Sequence, residues 1–229
     1  MMRIGLIGGM SWESTSSYYA LLNQLTSDKL GAWHQPKVLI DSLDFHEIAA
    51  LQALDDWDAT GELLVDSARR LERAGATVLA ITANTMHMNY DQVNNSVSVP
   101  VIDIRDAIVG QLKERGATSL SLLGTRYVME KDFFAARLRA KGVQVVVPEG
   151  EAIEDLHRII FNELTRGIIL ESSRERFIDI ADECRQRGGD VVGLCCTEFG
   201  MLINAEDAPW PSINSTTAHV RALLSFEDA

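Results

Sequence analysis

Cys196-Thr197-Glu198 places a thiol, a hydroxyl and a carboxylate on consecutive residues, one position beyond the apolar run 191–194. A thiol at the end of a strand and before a helix start can be held as a thiolate by the helix N-terminus, and then serves as a base or a nucleophile. Ala83-Asn84-Thr85 stands in the same relation to the apolar run 77–81. If the two strand ends face one another, they form a cleft with the Cys196 thiol on one side and the Ala83 methyl group where a second thiol would stand. Cys195 precedes Cys196 in an extended segment, where successive side chains point to opposite faces, so only one of the two thiols looks into such a cleft.

Each tripeptide has an upstream companion. Gly8 ends the apolar run 4–7 and leads into Gly9-Met10-Ser11-Trp12, while Gly124 ends the run 120–123 and leads into Thr125-Arg126-Tyr127. Gly8 lies 75 residues before Ala83, and Gly124 lies 72 before Cys196. That repetition predicts a duplicated unit, and a ligand pocket where the two copies meet.

The elements needed to position these residues follow from the apolar patterning. Strands are predicted at 3–7, 37–41, 77–82, 99–102, 119–123, 143–147 and 190–194, and helices at 13–29, 60–73, 104–115, 130–141, 151–164, 172–187 and 216–225. Strands alternating with helices predict an α/β fold of two pseudo-symmetric lobes, each a parallel sheet flanked by helices, with the active site in the cleft between them. Gly75, Gly116, Gly142 and Gly188 follow helical patterns rich in Arg or Lys, as left-handed C-terminal caps do. Pro100 confines its strand to an edge or a strand start. Residues 205–211 read as loop. The first lobe is expected at 1–103 plus 208–229, and the second at 104–207.

Several residues at the strand ends can hold an anion. Ser11, Asn84, Thr85, Thr125 and Thr197 are small hydrogen-bonding residues that can bind a carboxylate together with nearby backbone N–H groups. The same residue types are preferred helix N-caps, and the two roles are compatible. Glu198 can modulate the thiol, orient a substrate amine, or simply favour a helix N-terminus. Arg166 has a guanidinium suited to a carboxylate, or serves as a cation at a helix C-terminus. Met10, Trp12 and His46 lie where they can set side-chain specificity. The five histidines rank below Cys196 as proton-transfer groups. Gly8-Gly9 does not form GxGxxG, so a dinucleotide site has little support.

Composition narrows the partners. The 229 residues carry a formal net charge of −12 without a Lys/Arg block, which argues against nucleic acid and against an anionic membrane surface. No run approaches the roughly 18 apolar residues of a membrane-spanning helix, and a cytoplasmic location is expected. Three cysteines, two of them adjacent, make neither a disulfide framework nor a zinc motif. No metal is expected.

Gly8-Gly9-Met10-Ser11-Trp12-Glu13-Ser14-Thr15, Asp44-Phe45-His46-Glu47-Ile48, Asn84-Thr85-Met86-His87, Leu123-Gly124-Thr125-Arg126-Tyr127 and Cys196-Thr197-Glu198-Phe199-Gly200 together resemble the aspartate/glutamate racemase family over nearly the whole chain. The resemblance implies cofactor-independent racemisation of an amino acid (aspartate, glutamate or a broader set) without pyridoxal phosphate or metal, in a homodimer. Two cysteines then flank the substrate α-carbon, one removing its proton and the other returning one to the opposite face. Cys196 matches the second cysteine, and Ala83 occupies the first position. Ser11, Asn84, Thr85, Thr125 and Thr197 match the carboxylate binders, and Arg166 corresponds loosely to a basic substrate-binding position. Met10 and Glu198 join the expected substrate-binding set. The family's C-terminal Asp-Thr is Asn214-Ser215 here, ahead of His219. Three readings of Ala83 stay open at this point: a substitution introduced into a racemase, a natural one-thiol enzyme such as a decarboxylase of substituted malonates, or a non-catalytic binding protein for a small carboxylate.

Overall fold

The computed structural model describes residues 2–204 and 208–226. Its chain folds as β1 (Ile4–Gly8), α1 (Trp12–Leu30), β2 (Val38–Ser42), α2 (Phe45–Ala53), α3 (Trp57–Arg73), β3 (Val78–Ile81), a 3-10 turn at Thr85–Asn89, α4 (Tyr90–Asn94) and β4 (Val101–Ile102). It continues through α5 (Ile104–Glu114), β5 (Ser119–Gly124), α6 (Arg126–Glu130), α7 (Phe133–Ala140), β6 (Gln144–Val146), α8 (Glu151–Arg158), a π turn at Ile159–Glu163, a 3-10 turn at Leu164–Arg166, α9 (Glu171–Gln186), β7 (Val191–Cys195), α10 (Phe199–Leu202), β8 (Ser212–Asn214) and α11 (Ser215–Ser225). These elements form two parallel four-stranded sheets flanked by helices, ordered β2-β1-β3-β4 and β6-β5-β7-β8. Renumbered from its own first strand, the second sheet has the order of the first, so the repeat seen in the glycine spacing is also a repeat of topology.

The central strands β1, β3, β5 and β7 are buried throughout, as expected of parallel strands covered on both faces. The edge strands β2 and β6 keep exposed positions. Strand periodicity sorts the first sheet into two cores. Leu79 and Ile81 join Ile7, Met10, Ile48, Leu64 and Met86 on one face, whereas Val78 and Ala80 join Ile4, Leu6, Tyr18, Leu22, Val220 and Leu223 on the other. In the second sheet Val192, Leu194 and Cys196 share a face with Leu156 of α8 and with Phe177 and Ile180 of α9.

One compact unit runs to Asp103 and resumes at His219, and the other is Ile104–Ala218. The return to the first unit therefore comes later than the expected 208. Ser212–Asn214 is the physical reason: it adds β8 beside β7, with Val192 opposite Ser212 and Leu194 opposite Asn214. Positions 205–207 of the expected loop lie outside the described residues.

Other boundaries move for identifiable causes. The helix expected over 130–141 is two, because Lys131 is extended at ψ 128° between α6 and α7. The one expected over 151–164 ends at Arg158 and opens into the π turn, where the buried Glu163 carboxylate accepts hydrogen bonds from Arg158 Nη1 at 2.6 Å and from Ser173 Oγ. α2 was hidden by its short length; Asp44 caps it by accepting from His46 N. The four cap glycines all adopt positive φ, from 65° at Gly116 to 102° at Gly188.

α11 closes the first unit through a buried polar contact. Tyr18 and His219 are both fully buried, and Tyr18 Oη lies 2.8 Å from His219 Nδ1. His219 Nε2 lies 2.8 Å from the Ile102 carbonyl, which can only accept, so the ring carries its proton on Nε2 and accepts from the tyrosine at Nδ1. Burial first, then the neighbouring His87, lowers the His219 pKa to about 3, opposed by the Ile102 carbonyl and Asp103.

Such a histidine stays neutral in the folded chain while its unfolded counterpart takes up a proton below about pH 6.5. Its stabilising contribution is present above that pH and is lost as pH falls toward 3, at roughly 1.4 kcal/mol per pH unit. Urea unfolding at pH 7 and pH 5 should show that His219→Asn, though less stable at pH 7, loses about 2 kcal/mol less over this interval than the parent chain. Equal losses would assign the acid sensitivity to other groups.

Candidate active site

The two sheets stop in the same register, and this defines equivalent positions. Gly124 is opposite Cys195 in the β5–β7 ladder, so Cys196 is the first residue beyond the paired end. In the β1–β3 ladder Ile7 is opposite Ile81, and Thr82 N donates to the Ile7 carbonyl at 3.0 Å. One further step sets Thr82 against Gly8, and Ala83 follows. Ala83 and Cys196 thus occupy corresponding places, each on the sheet face covered by the helix that leads into its strand, α3 and α9 respectively. Both lie where strand order reverses, the crevice at which open α/β sheets bind ligands.

Neither glycine-bearing turn tolerates a side chain. A Cβ at Gly9, where φ is +83°, would sit 2.1 Å from the Leu43 carbonyl oxygen. One at Gly124 would meet Val128 Cγ1 at 2.9 Å and the Cys195 carbonyl oxygen at 3.0 Å. The turns after them are capped alike: Ser11 Oγ accepts from Ser14 N, and Thr125 Oγ1 accepts from Val128 N. Both caps leave the helix starts of α1 and α6 pointing their N–H groups past the strand ends.

In the second unit Cys196 is 6 % exposed, and its Sγ–H donates to Glu198 Oε2 at 2.9 Å. Thr197 Oγ1 donates to the same oxygen at 2.8 Å. Glu198 is half-buried and gathers both neighbours onto one carboxylate oxygen. Burial pushes the Cys196 thiol well above its ordinary pKa; the Glu198 charge and its acceptance of the S–H proton push the same way, against a smaller opposing effect of the Glu198 backbone N–H. This reverses the expectation of a thiolate favoured by a helix N-terminus. α10 is a single turn of four residues, too short to outweigh burial and a carboxylate in contact. The resting group is a thiol hydrogen-bonded to a base. Cys195, fully buried on the opposite face, is also raised by burial, and Cys184 on α9 is pushed to about 11.

The first unit carries no counterpart thiol. Thr82 is fully buried and committed to structure: its Oγ1 donates to the Ile7 carbonyl at 3.0 Å and lies 3.4 Å from Thr15 Oγ1, while its carbonyl accepts from Ser14 Oγ. The Ala83 carbonyl accepts from His87 Nδ1 at 3.0 Å, and the His87 ring stacks on Tyr90. Asn84 is 5 % exposed and begins the 3-10 turn that contains Thr85.

The remaining predicted residues divide. Met10 packs into the apolar core with Met86 and Ile81. Arg166 ends the turn beside α10 and is exposed, and Gly167 then reverses the chain at φ 70°. His46 is exposed on α2. Asn214 Oδ1 accepts from Thr216 N at 2.9 Å and Thr217 N at 3.1 Å, so this amide caps α11. The direct Cys196–Glu198 contact and the Tyr18–His219 pair were not foreseen. The first depends on a rotamer, and the second joins distant residues with no shared local pattern. Among the described residues no group of three or more His, Cys, Asp or Glu side chains could hold a metal ion, and no helix is long and apolar enough to cross a membrane.

The chain is similar to known proteins in sequence and in fold. The sequence profile of the Asp/Glu/Hydantoin racemase family matches residues 7–223. A candidate Asp/Glu racemase from Yersinia pestis is 40 % identical, with a TM-score of 0.92 and all of both chains covered. An aspartate racemase homologue from Pyrococcus horikoshii is 35 % identical, with a TM-score of 0.88 and again all of both chains covered. The broad specificity amino-acid racemase RacX of Bacillus subtilis is 21 % identical over 229 residues, spanning 97 % of this chain and 96 % of that protein.

The electrostatics of the thiol can be measured without a substrate. Removing the Glu198 charge lowers the Cys196 pKa and enlarges the thiolate fraction at a fixed pH. Iodoacetamide labelling followed by peptide mass spectrometry should be slow at Cys196 at pH 7 and climb through pH 9. In Glu198→Gln it should be about tenfold faster or more at pH 8, the scale of a unit charge removed from a contact at intermediate dielectric. Slower labelling of the variant would mean that the carboxylate activates the thiol instead.

Proposed function

Because the chain belongs to the Asp/Glu/Hydantoin racemase family, we propose that it acts on the α-carbon of an amino acid, with Cys196 as its acid/base and Glu198 as the group that takes up and returns the thiol proton. The observation that carries this reading is the short Sγ–H···Oε2 contact at the position equivalent to Ala83. A buried thiol is a poor base until its proton leaves, and Glu198 is the acceptor already in contact.

The proton balance is simple. The S–H proton moves to the Glu198 carboxylate, the Cys196 thiolate takes the α-proton, and the electron pair of the broken C–H bond stays on the α-carbon. Reprotonation by the Cys196 S–H regenerates the starting enantiomer. Inversion requires a proton delivered to the other face, and Ala83 has none to give. Thr82 is no substitute, since its hydroxyl is already directed at the Ile7 carbonyl. The reading therefore makes solvent the donor for inversion, and α-proton exchange the faster reaction.

We assign Asn84, Thr85, Thr125 and Thr197 to the substrate carboxylate, with Ser11 in a capping role that also orients backbone N–H groups. Hydroxyl and amide donors suit an anion that must bind without a metal. Arg166 and Met10 are weaker candidates: one is exposed at the end of its turn, and the other is packed in the core.

Incubation with L-Asp, L-Glu and a panel of other amino acids in deuterated water, followed by NMR and chiral chromatography, tests the proposal. Deuterium should enter Cα faster than the opposite enantiomer accumulates, and Cys196→Ala should abolish both signals. Ala83→Cys should raise inversion by two orders of magnitude or so, the lower end of what a positioned acid/base group contributes. No exchange with any amino acid, in a protein of unchanged thermal stability, would refute the racemase reading.

A further inference from the structure

One buried hydroxyl of the first unit stands apart from the others. Thr15, Thr60 and Thr165 each donate to the carbonyl four residues earlier, the usual outlet for a threonine on a helix. Thr26 on α1 forgoes that bond. It is 7 % exposed, and its Oγ1 makes no hydrogen bond among the described residues. A buried hydroxyl with unmet capacity is costly, and a polar atom brought to it would relieve the cost.

Thr26 lines a cavity of about 510 Å³ beside Ile4, at the start of β1 and so at the opposite end of the sheet from Gly8 and Ala83. That volume falls within the range of small-molecule sites. The lining grades from wet to dry: Gln35 and Lys37 are exposed, Leu25 and Leu224 are half-buried, and Ile4 and Thr26 are buried. The dry end is therefore apolar except for one hydroxyl.

We infer that this cavity binds a small neutral amphiphile, a short aliphatic chain ending in a hydroxyl. The chain lies on Ile4, Leu25 and Leu224, and its hydroxyl shares a hydrogen bond with Thr26 Oγ1. A head group that reaches Thr26 leaves water behind, which costs a hydroxyl little once it is bonded and costs an ionised group far more. A molecule without a polar head leaves the threonine as it was. The site is independent of the α-carbon chemistry assigned to Cys196, so either can fail without the other.

Calorimetric titration of the full chain with 1-pentanol, 1-hexanol, 1-chlorohexane and hexanoate tests the inference. 1-Hexanol should bind saturably and more tightly than hexanoate, and about fourfold more tightly than 1-pentanol, the equivalent of burying one CH₂. Thr26→Val keeps the shape and removes the hydroxyl. It should weaken 1-hexanol about fivefold, the loss of one hydrogen bond, while leaving 1-chlorohexane unchanged. Thr26→Ser keeps the hydroxyl and should retain the preference. With no unmet hydroxyl to bury, the valine variant should melt no lower than the parent chain, which separates lost binding from lost fold. Absence of saturable 1-hexanol binding to the parent chain, tighter binding of hexanoate, or an effect of Thr26→Val that is nil or equal for 1-hexanol and 1-chlorohexane would each overturn it.

Discussion

Parallel pairing between β5 and β7, and between β1 and β3, fixes where each central strand stops, and the functional geometry follows from those stops. In a parallel ladder the side-chain direction alternates without exception, so one residue of register decides which face a group joins. Cys195 and Cys196 show the consequence: the first is sealed on one side of its sheet, and the second stands at the open end on the other. Thr82 and Ala83 repeat the division, with the hydroxyl tied to the Ile7 carbonyl and the methyl group against the Met86 core. The glycines opposite these ends, Gly8 and Gly124, admit no Cβ because the Thr15 and Val128 side chains pack directly against them.

Burial determines the character of the thiol. At 6 % exposure and with a carboxylate in contact, Cys196 is held in its neutral form, and proton transfer must begin inside the thiol–carboxylate pair. Thr197, donating to the same Glu198 oxygen, helps to hold that carboxylate against sulfur. The protein thus keeps an acid and its base adjacent, and the low-dielectric surroundings make their mutual electrostatics strong.

Much of this was readable from the residues, because the governing signals are local. Apolar runs of strand length, cap glycines after basic helix ends, and the near-equal spacings from Gly8 to Ala83 and from Gly124 to Cys196 predict two parallel sheets with matched strand ends. The features that escaped depend on non-local packing or on single side chains. β8 has only three residues, too few to show a period, and exists because β7 offers it a pairing edge. The break between α6 and α7 rests on one extended residue, Lys131. The direction of the Cys196 pKa follows from the depth of burial and from the rotamer of Glu198, neither of which is written in the spacing of residues.

α11 begins as the cap and first turn that follow β8 and ends by placing His219, Val220 and Leu223 in the core of the first unit. Tyr18, near the start of the chain, therefore waits for a partner 201 positions away. On a ribosome, where domains ordinarily fold in the order in which they emerge, this chain reverses the sequence of events. The second unit can complete its sheet while the first still exposes the apolar faces of Ile4, Leu6 and Leu22. The half that is synthesised first is finished last, because its core is closed by Val220 and Leu223 from the far end of the chain.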